Sequence, residues 1–312
     1  MHNACRSHAA AVPAVSSEAN RTVPFSLESL EKLLPSRFRP DLPVVPVVRL
    51  NGAIGLTTPL RPGLTLASVG RTLERAFAVK RARAVALAIN SPGGSPAQSH
   101  LIFLRIRQLA AEKNLPVIAF VEDVAASGGY MIACAADEIV CDVYSIAGSI
   151  GVVGGSFGFD KLLEKIGVER RIYTAGERKV MLDPFLPEKP DDVERIKAVQ
   201  QDIHAHFIAL VKERRAGRLT GDDATLFSGE FWTADKARAL GLVDAIGDLR
   251  GVLRARFGDK VKTPVMNEKR GLLARLAPRV GAAPPFASAM AGWPDELMSS
   301  LEERALWSRY GM

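Results

Sequence analysis

From Val44 onward the chain alternates between two kinds of segment, and this alternation limits the fold more than any other feature. Short β-branched runs at 44–50, 84–90 and 116–121 are separated by helix-like stretches at 65–79 and 99–113. Strands joined through helices make βαβ crossovers, so the pattern predicts an α/β protein built on a largely parallel sheet. Helices then cover both faces of the sheet, which explains why the strand segments are apolar throughout rather than alternating.

Other segments fill in this frame. Residues 191–215 carry Val193, Ile196, Val199, Ile203, Phe207 and Leu210 at helical spacing with charges opposite, and predict a long amphipathic helix whose expected use is core packing, with an interface as the alternative. A further helix is expected to start with Thr233 as its cap and to end at Gly241. Residues 1–42 are punctuated by prolines and read as a loose arm, the compact part spans 43–262, and 263–312 shift to Arg, Ala, Pro and Gly as a C-terminal extension. That extension reads as a frayed end, or as a piece that touches a partner or a membrane surface.

Composition removes several function classes. With 312 residues and 47% hydrophobic content the chain can bury a sizeable core. The three cysteines, Cys5, Cys134 and Cys141, have neither metal-type spacing nor an even count, so a reducing, cytoplasmic setting is the simpler expectation. The net charge is +7, but the cations are dispersed among 34 acids with no aromatic-interleaved basic patch, so no nucleic-acid partner is expected. The longest charge-free stretch, 143–159, is broken by five glycines and three serines, and no segment reads as a transmembrane helix or a convincing secretion signal. There is no P-loop and no His/Cys ligand cluster, so neither a metal nor a nucleotide cofactor is implied.

Three stretches could carry chemistry: INSPGGSP at 89–96, VAASGGYMIACAADEI at 124–139 and YTAGERKVMLDPF at 173–185. In the first, Gly93 and Gly94 force a tight turn after a strand and leave backbone N–H groups unpaired, one half of an oxyanion hole or simply a βα turn. In the second, a strand delivers Ser127 to a strand-to-helix junction at the sheet's carboxyl edge, where ligands bind in open α/β folds. There Ser127 is either a nucleophile served by the Gly128 N–H or only the cap of the helix that follows.

A serine nucleophile needs a base, and the histidines are poorly placed: His2 and His8 lie in the arm, His100 starts a helix, and His204 and His206 sit on the long helix. A lysine can substitute when burial or neighbouring cations keep it neutral. Lys179 is the candidate, beside Arg178 and Glu177 and flanked by Val180, Met181, Leu182 and Phe185, which could desolvate it; the alternative is a solvated lysine in a charged loop.

Together the three stretches resemble the S49 family of serine peptidases, the signal peptide peptidase A and SohB type, with SIAGSIGV at 145–152 and FWTADKARALGLVDAIGDL at 231–249 adding to the match. The resemblance implies a ClpP/crotonase-like fold, a twisted parallel sheet with a second, nearly perpendicular strand layer and outer helices. It implies Ser127 as nucleophile, Lys179 as general base, Gly94 and Gly128 as oxyanion donors, and Ser149 as a hydroxyl that orients the lysine. It also implies a homo-oligomeric ring or dome acting on peptides such as signal-peptide remnants, with Ser and Lys drawn in some members from different subunits. Many members carry an N-terminal membrane anchor, which is not legible here.

Three rival readings stay open on sequence grounds. A crotonase-type acyl-CoA enzyme explains the Gly-Gly turns but not Ser127 with the GERK loop. A Clp-like Ser-His-Asp peptidase lacks a suitably placed histidine, and a non-catalytic scaffold would keep the motifs as packing devices.

Overall fold

A computed structural model describes residues 42–56, 63–176, 178–266, 300–301 and 303–311. The expected loose arm over 1–42 lies almost wholly outside the described residues, as does most of the C-terminal extension. The fold is mixed α/β, as the alternation predicts.

The first crossovers run β1 (Val47–Asn51), α1 (Leu66–Phe77), β2 (Val85–Ser91), α2 (Pro96–Lys113), β3 (Val117–Ala126), and a short α3 (Gly128–Ala133). Local chemistry sets the helix ends. Thr65 and Ser68 form a reciprocal capping box at the start of α1. At α2 the Ser95 side chain accepts from the Gln98 N–H, Pro96 occupies the first helical turn, and Asn114 closes the helix in the left-handed region at φ 48°. The sequence reading placed these elements within a few residues; it set the strand-like run at 116–121 and carried the strand on toward Ser127, and β3 ends at Ala126.

The last residues of β3 organise the rest of the sheet. Strands β1, β2 and β3 pair in parallel, with Val47 opposite Ala86 and Val85 opposite Val117. The first part of β3, from Ile118 to Val121, also pairs with β4 (Glu138–Cys141), which leads to β7 (Ala245–Ile246). Its last part, Val124–Ala126, pairs instead with β5 (Ile146–Gly148), which takes β6 (Phe231–Thr233) antiparallel. One strand therefore feeds two branches, and the fork opens immediately before Ser127. At the other edge β8 (Val265–Met266) pairs with β1, so the sheet takes in residues just beyond the expected boundary at 262.

The core lies on both faces of this sheet. On one, Leu50, Leu87, Ile89, Ile102, Ile106, Tyr130 and Ile132 are fully buried; on the other, Val45, Ala86, Ala88, Phe120 and Leu253 of α8 (Leu249–Phe257) pack together. Each fully buried Leu or Ile contributes roughly 2 kcal/mol relative to exposure. Between the fork and β6 the chain makes an excursion through α4 (Asp160–Ile166) and α5 (Pro190–Arg214), and α6 (Asp223–Leu226) follows; α7 (Ala234–Ala239) comes after β6.

Two expectations for this region change. Thr233 stands at the head of α7, but its side chain makes no cap hydrogen bond. The apolar stripe of α5 is buried only at Phe207 and Val211, near its C-terminal end, while Val199 is exposed, so core packing accounts for the last turns alone. The reason is topological: that end of the helix packs against α3, where the Arg214 guanidinium also donates to the carbonyls of Cys134 and Ala136.

Candidate functional site

The sequence that follows β3 is shaped by its backbone. Ser127 has φ 51° and ψ −119°, a strained conformation for a residue with a side chain, and its side chain makes no cap hydrogen bond to α3. The capping alternative for Ser127 is therefore not what the structure contains. Its backbone N–H is tied to the Gly148 carbonyl at 2.8 Å, which fixes the turn and leaves the half-buried side chain facing a groove.

The two Gly-Gly turns are required by close approach. A Cβ on Gly128 would stand 2.3 Å from Ser99 Oγ, and one on Gly129 2.6 Å from the Ser91 carbonyl oxygen. Around Gly94, with φ 141°, the Ile54 N–H donates to the Gly93 carbonyl and the Ser95 N–H to the Ile54 carbonyl, both at 2.8 Å. That bridge uses the groups on either side of Gly94 and leaves the Gly94 N–H outside it. The Gly128 N–H, at the first position of α3, has no carbonyl one turn earlier to bind. A Cβ on Gly93 would meet Ser127 Cβ at 2.8 Å and the Gly128 nitrogen at 3.0 Å, so the two turns lie against each other.

The groove has a volume of about 970 Å³, and Gly94, Ser127 and Ser149 line it together with Ile54, His204 and Phe231. Ser149 is placed by register: Ala126 pairs with Gly148, so the residues after them, Ser127 and Ser149, are neighbours at the ends of parallel strands. Ser149 also has a left-handed φ of 53°, with its N–H held by the Glu230 carbonyl at 2.7 Å.

Lys179 does not line this groove. It is exposed, in a turn whose N–H bonds the Gly176 carbonyl at 3.2 Å, and the apolar residues around it do not enclose it within the chain. The turn belongs to the excursion over 153–189, which packs largely on itself: Phe159 stacks on Phe185, Arg170 lies over the same ring, and Arg170 pairs with Asp183 at 2.8 Å. Several of its apolar side chains are exposed, with Phe157 71% and Tyr173 92% exposed, and none of the residues of α4 is buried.

Sequence reasoning missed His204 and Phe231 as groove residues, because they reach it from α5 and β6, far along the chain from Ser127. His204 Nε2 lies 3.0 Å from the Ile150 carbonyl, a hydrogen bond that occupies that ring nitrogen, and His206 is exposed. Among the described residues no group of three or more His, Cys, Asp or Glu side chains converges on one point as a metal would require. Nor is any helix of the described residues long and apolar enough to cross a membrane.

Fold and site together define a class: parallel α/β proteins that present a strained, uncapped serine beside free backbone amides at the carboxyl edge of the sheet. Comparison with known proteins narrows this class. The model of peptidase family S49 matches residues 110–259. The serine protease SPPA of Arabidopsis thaliana chloroplasts is 33% identical over 239 residues, 75% of this chain and 34% of that protein. The slr0021 protein of Synechocystis sp. is 31% identical over 205 residues, 63% of this chain and 72% of that protein. A protein named Na(+)/H(+) antiporter NhaA in Brucella abortus is 57% identical over 289 residues, 91% of this chain but 39% of its own length. The chain thus spans well under half of the first of these and of the Brucella protein. It belongs to peptidase family S49.

Proposed function

We propose that the protein is a serine endopeptidase in which Ser127 is the nucleophile, Lys179 the general base, and the Gly94 and Gly128 N–H groups the oxyanion donors. The observation that carries this reading is the state of Ser127: strained, uncapped, facing a groove, and set against two turns with free amides. The neutral Lys179 amine takes the Ser127 hydroxyl proton as the oxygen attacks a peptide carbonyl. The two amides hold the tetrahedral oxyanion, and the resulting ammonium returns its proton to the departing amine. Water then cleaves the acyl-enzyme ester, its proton passing through the same lysine. Ser149, beside Ser127, orients the amine.

Lys179 lies away from the groove in its own chain, on an excursion whose apolar face is exposed, and this favours a homo-oligomer in which one copy supplies the lysine to its neighbour's Ser127. The exposed part of the α5 stripe fits the same interface. Substrates are extended, mainly apolar peptides, of which signal-peptide remnants are one source, since the groove combines small, aliphatic and aromatic walls with backbone polar groups.

The test is cleavage of a fluorogenic apolar peptide from about pH 6 to about pH 10. Ser127→Ala and Lys179→Ala are each expected to lose about 10³-fold or more in kcat while keeping the oligomeric size. His204→Ala is expected to stay active. Activity in Lys179→Ala, or its loss in His204→Ala, would move the base to the histidine.

A further inference from the structure

The C-terminal segment forms part of the wall of the groove at Ser127. Residues 303–308 form helical turns, and Leu306, Arg309 and Tyr310 reach the groove. The Tyr310 hydroxyl lies 3.3 Å from Ser149 Oγ and 3.4 Å from the Pro92 carbonyl, and its ring meets Phe231 edge-on with centroids 5.1 Å apart. A phenol has one proton; given to the Pro92 carbonyl, it leaves the phenol oxygen free to accept from the Ser149 hydroxyl.

This hold is weak by construction. Both polar contacts are at the long end of hydrogen bonding, and none of the described residues between 300 and 311 is buried. A core element is fixed by burial, whereas this segment has an aromatic edge contact and two long hydrogen bonds. Its position is informative nonetheless: it lies across the groove between the INSPGGSP turn and β6, and its hydroxyl sits on Ser149, the group expected to orient the base.

We propose that residues 303–310 are an intramolecular latch: they close one side of the peptide groove, and Tyr310 holds Ser149 until an incoming apolar peptide displaces the segment. This rests on the reading of the groove as a peptide site. A peptide and the latch compete, so the apparent affinity for peptide is the intrinsic affinity reduced by the fraction of molecules with the latch open.

The experiment separates the latch from catalysis. In full-length chains carrying Ser127→Ala, binding of a fluorescein-labelled decapeptide of Leu, Val and Ala is followed by anisotropy, alone and with Tyr310→Ala or Tyr310→Phe added. With the latch closed in most molecules, Tyr310→Ala is expected to bind roughly tenfold more tightly, and Tyr310→Phe, which keeps the ring on Phe231, to fall between. Equal or weaker binding in Tyr310→Ala, with circular dichroism and Tm unchanged, overturns the latch and makes Tyr310 part of the substrate wall. Cleavage is read separately on chains that keep Ser127. Tighter binding without cleavage by any of them retains the latch and removes the peptidase reading, whereas cleavage with unchanged binding removes the latch alone.

Discussion

Ser127 donates its backbone N–H to the carbonyl of Gly148 at 2.8 Å, and this bond aligns the ends of two parallel strands whose next side chains face one groove. It makes the nucleophile candidate and Ser149 a single unit. A base delivered to one of them is delivered to both, and this sets the form of the first prediction.

If Lys179 reaches Ser127 across a subunit boundary, Ser127→Ala and Lys179→Ala chains should complement each other. Neither cleaves peptide alone, but co-assembled in equal amounts they should form about a quarter of their sites with both groups intact, as random placement around a ring dictates. Recovery of activity on mixing and reassembly checks this. Continued silence, with mixed oligomers demonstrated by mass, would place both groups in one chain.

The turn at Gly94 should tolerate a side chain less well than that at Gly128. A Cβ on Gly94 would stand 2.1 Å from the Ile54 carbonyl oxygen, which the Ser95 N–H holds in place, whereas on Gly128 the obstacle is the Ser99 hydroxyl, which can rotate. Gly94→Ala is expected to cost more than about 2 kcal/mol, roughly 4–8 °C in Tm, because a strained φ adds to the clash. Thermal unfolding of both variants checks the order, and an equal Tm for the two would count against it.

Buried Arg215 pairs with half-buried Asp244 and ties the end of α5 to the loop before β7. Arg215 is 1% exposed, donates twice to the Gly241 carbonyl, and meets the Asp244 carboxylate at 2.8 and 2.9 Å. Burial alone would raise the Asp244 pKa, but the Arg215 hydrogen bonds and the Ile139 N–H outweigh it and hold the carboxyl below its usual range. A carboxylate depressed in the folded state stabilises fully above the unfolded value of about 4 and loses its contribution as pH falls through the lower folded value. Asp244→Ala, which strands the guanidinium, is expected to cost about 3 kcal/mol at neutral pH. Urea unfolding should show this gap narrowing below about pH 4.

Cys134 and Cys141 should be chemically silent. Both are buried, and burial pushes each thiol up to about 12, so neither carries thiolate at neutral pH. Iodoacetamide on the native protein should leave both unmodified by peptide mass spectrometry and alkylate both in urea. Native labelling of Cys141 would show that the sheet opens at β4.

Much of the fold was legible in the sequence because its signals are local. The spacing of apolar residues acts within a few residues, and the first crossovers follow from it. The fork was not legible: that β3 pairs with β4 over Ile118–Val121 and with β5 over Val124–Ala126 depends on which strands arrive beside it from later in the chain. The same holds for α5, whose uniform stripe gave no sign that only its last turns reach the core.

The site divides along the same line. By themselves, the residues 89–96 and 124–139 determined that two glycine turns and a serine would gather at the carboxyl edge of a parallel sheet, because strand, turn and helix propensities are short-range. Only the tertiary structure decided that Ser127 is uncapped at positive φ, that Ser149 stands beside it, that His204, Phe231 and Tyr310 share its groove, and that Lys179 does not. These are distances between residues far apart in the chain, set by register and by the packing of elements that no local pattern encodes.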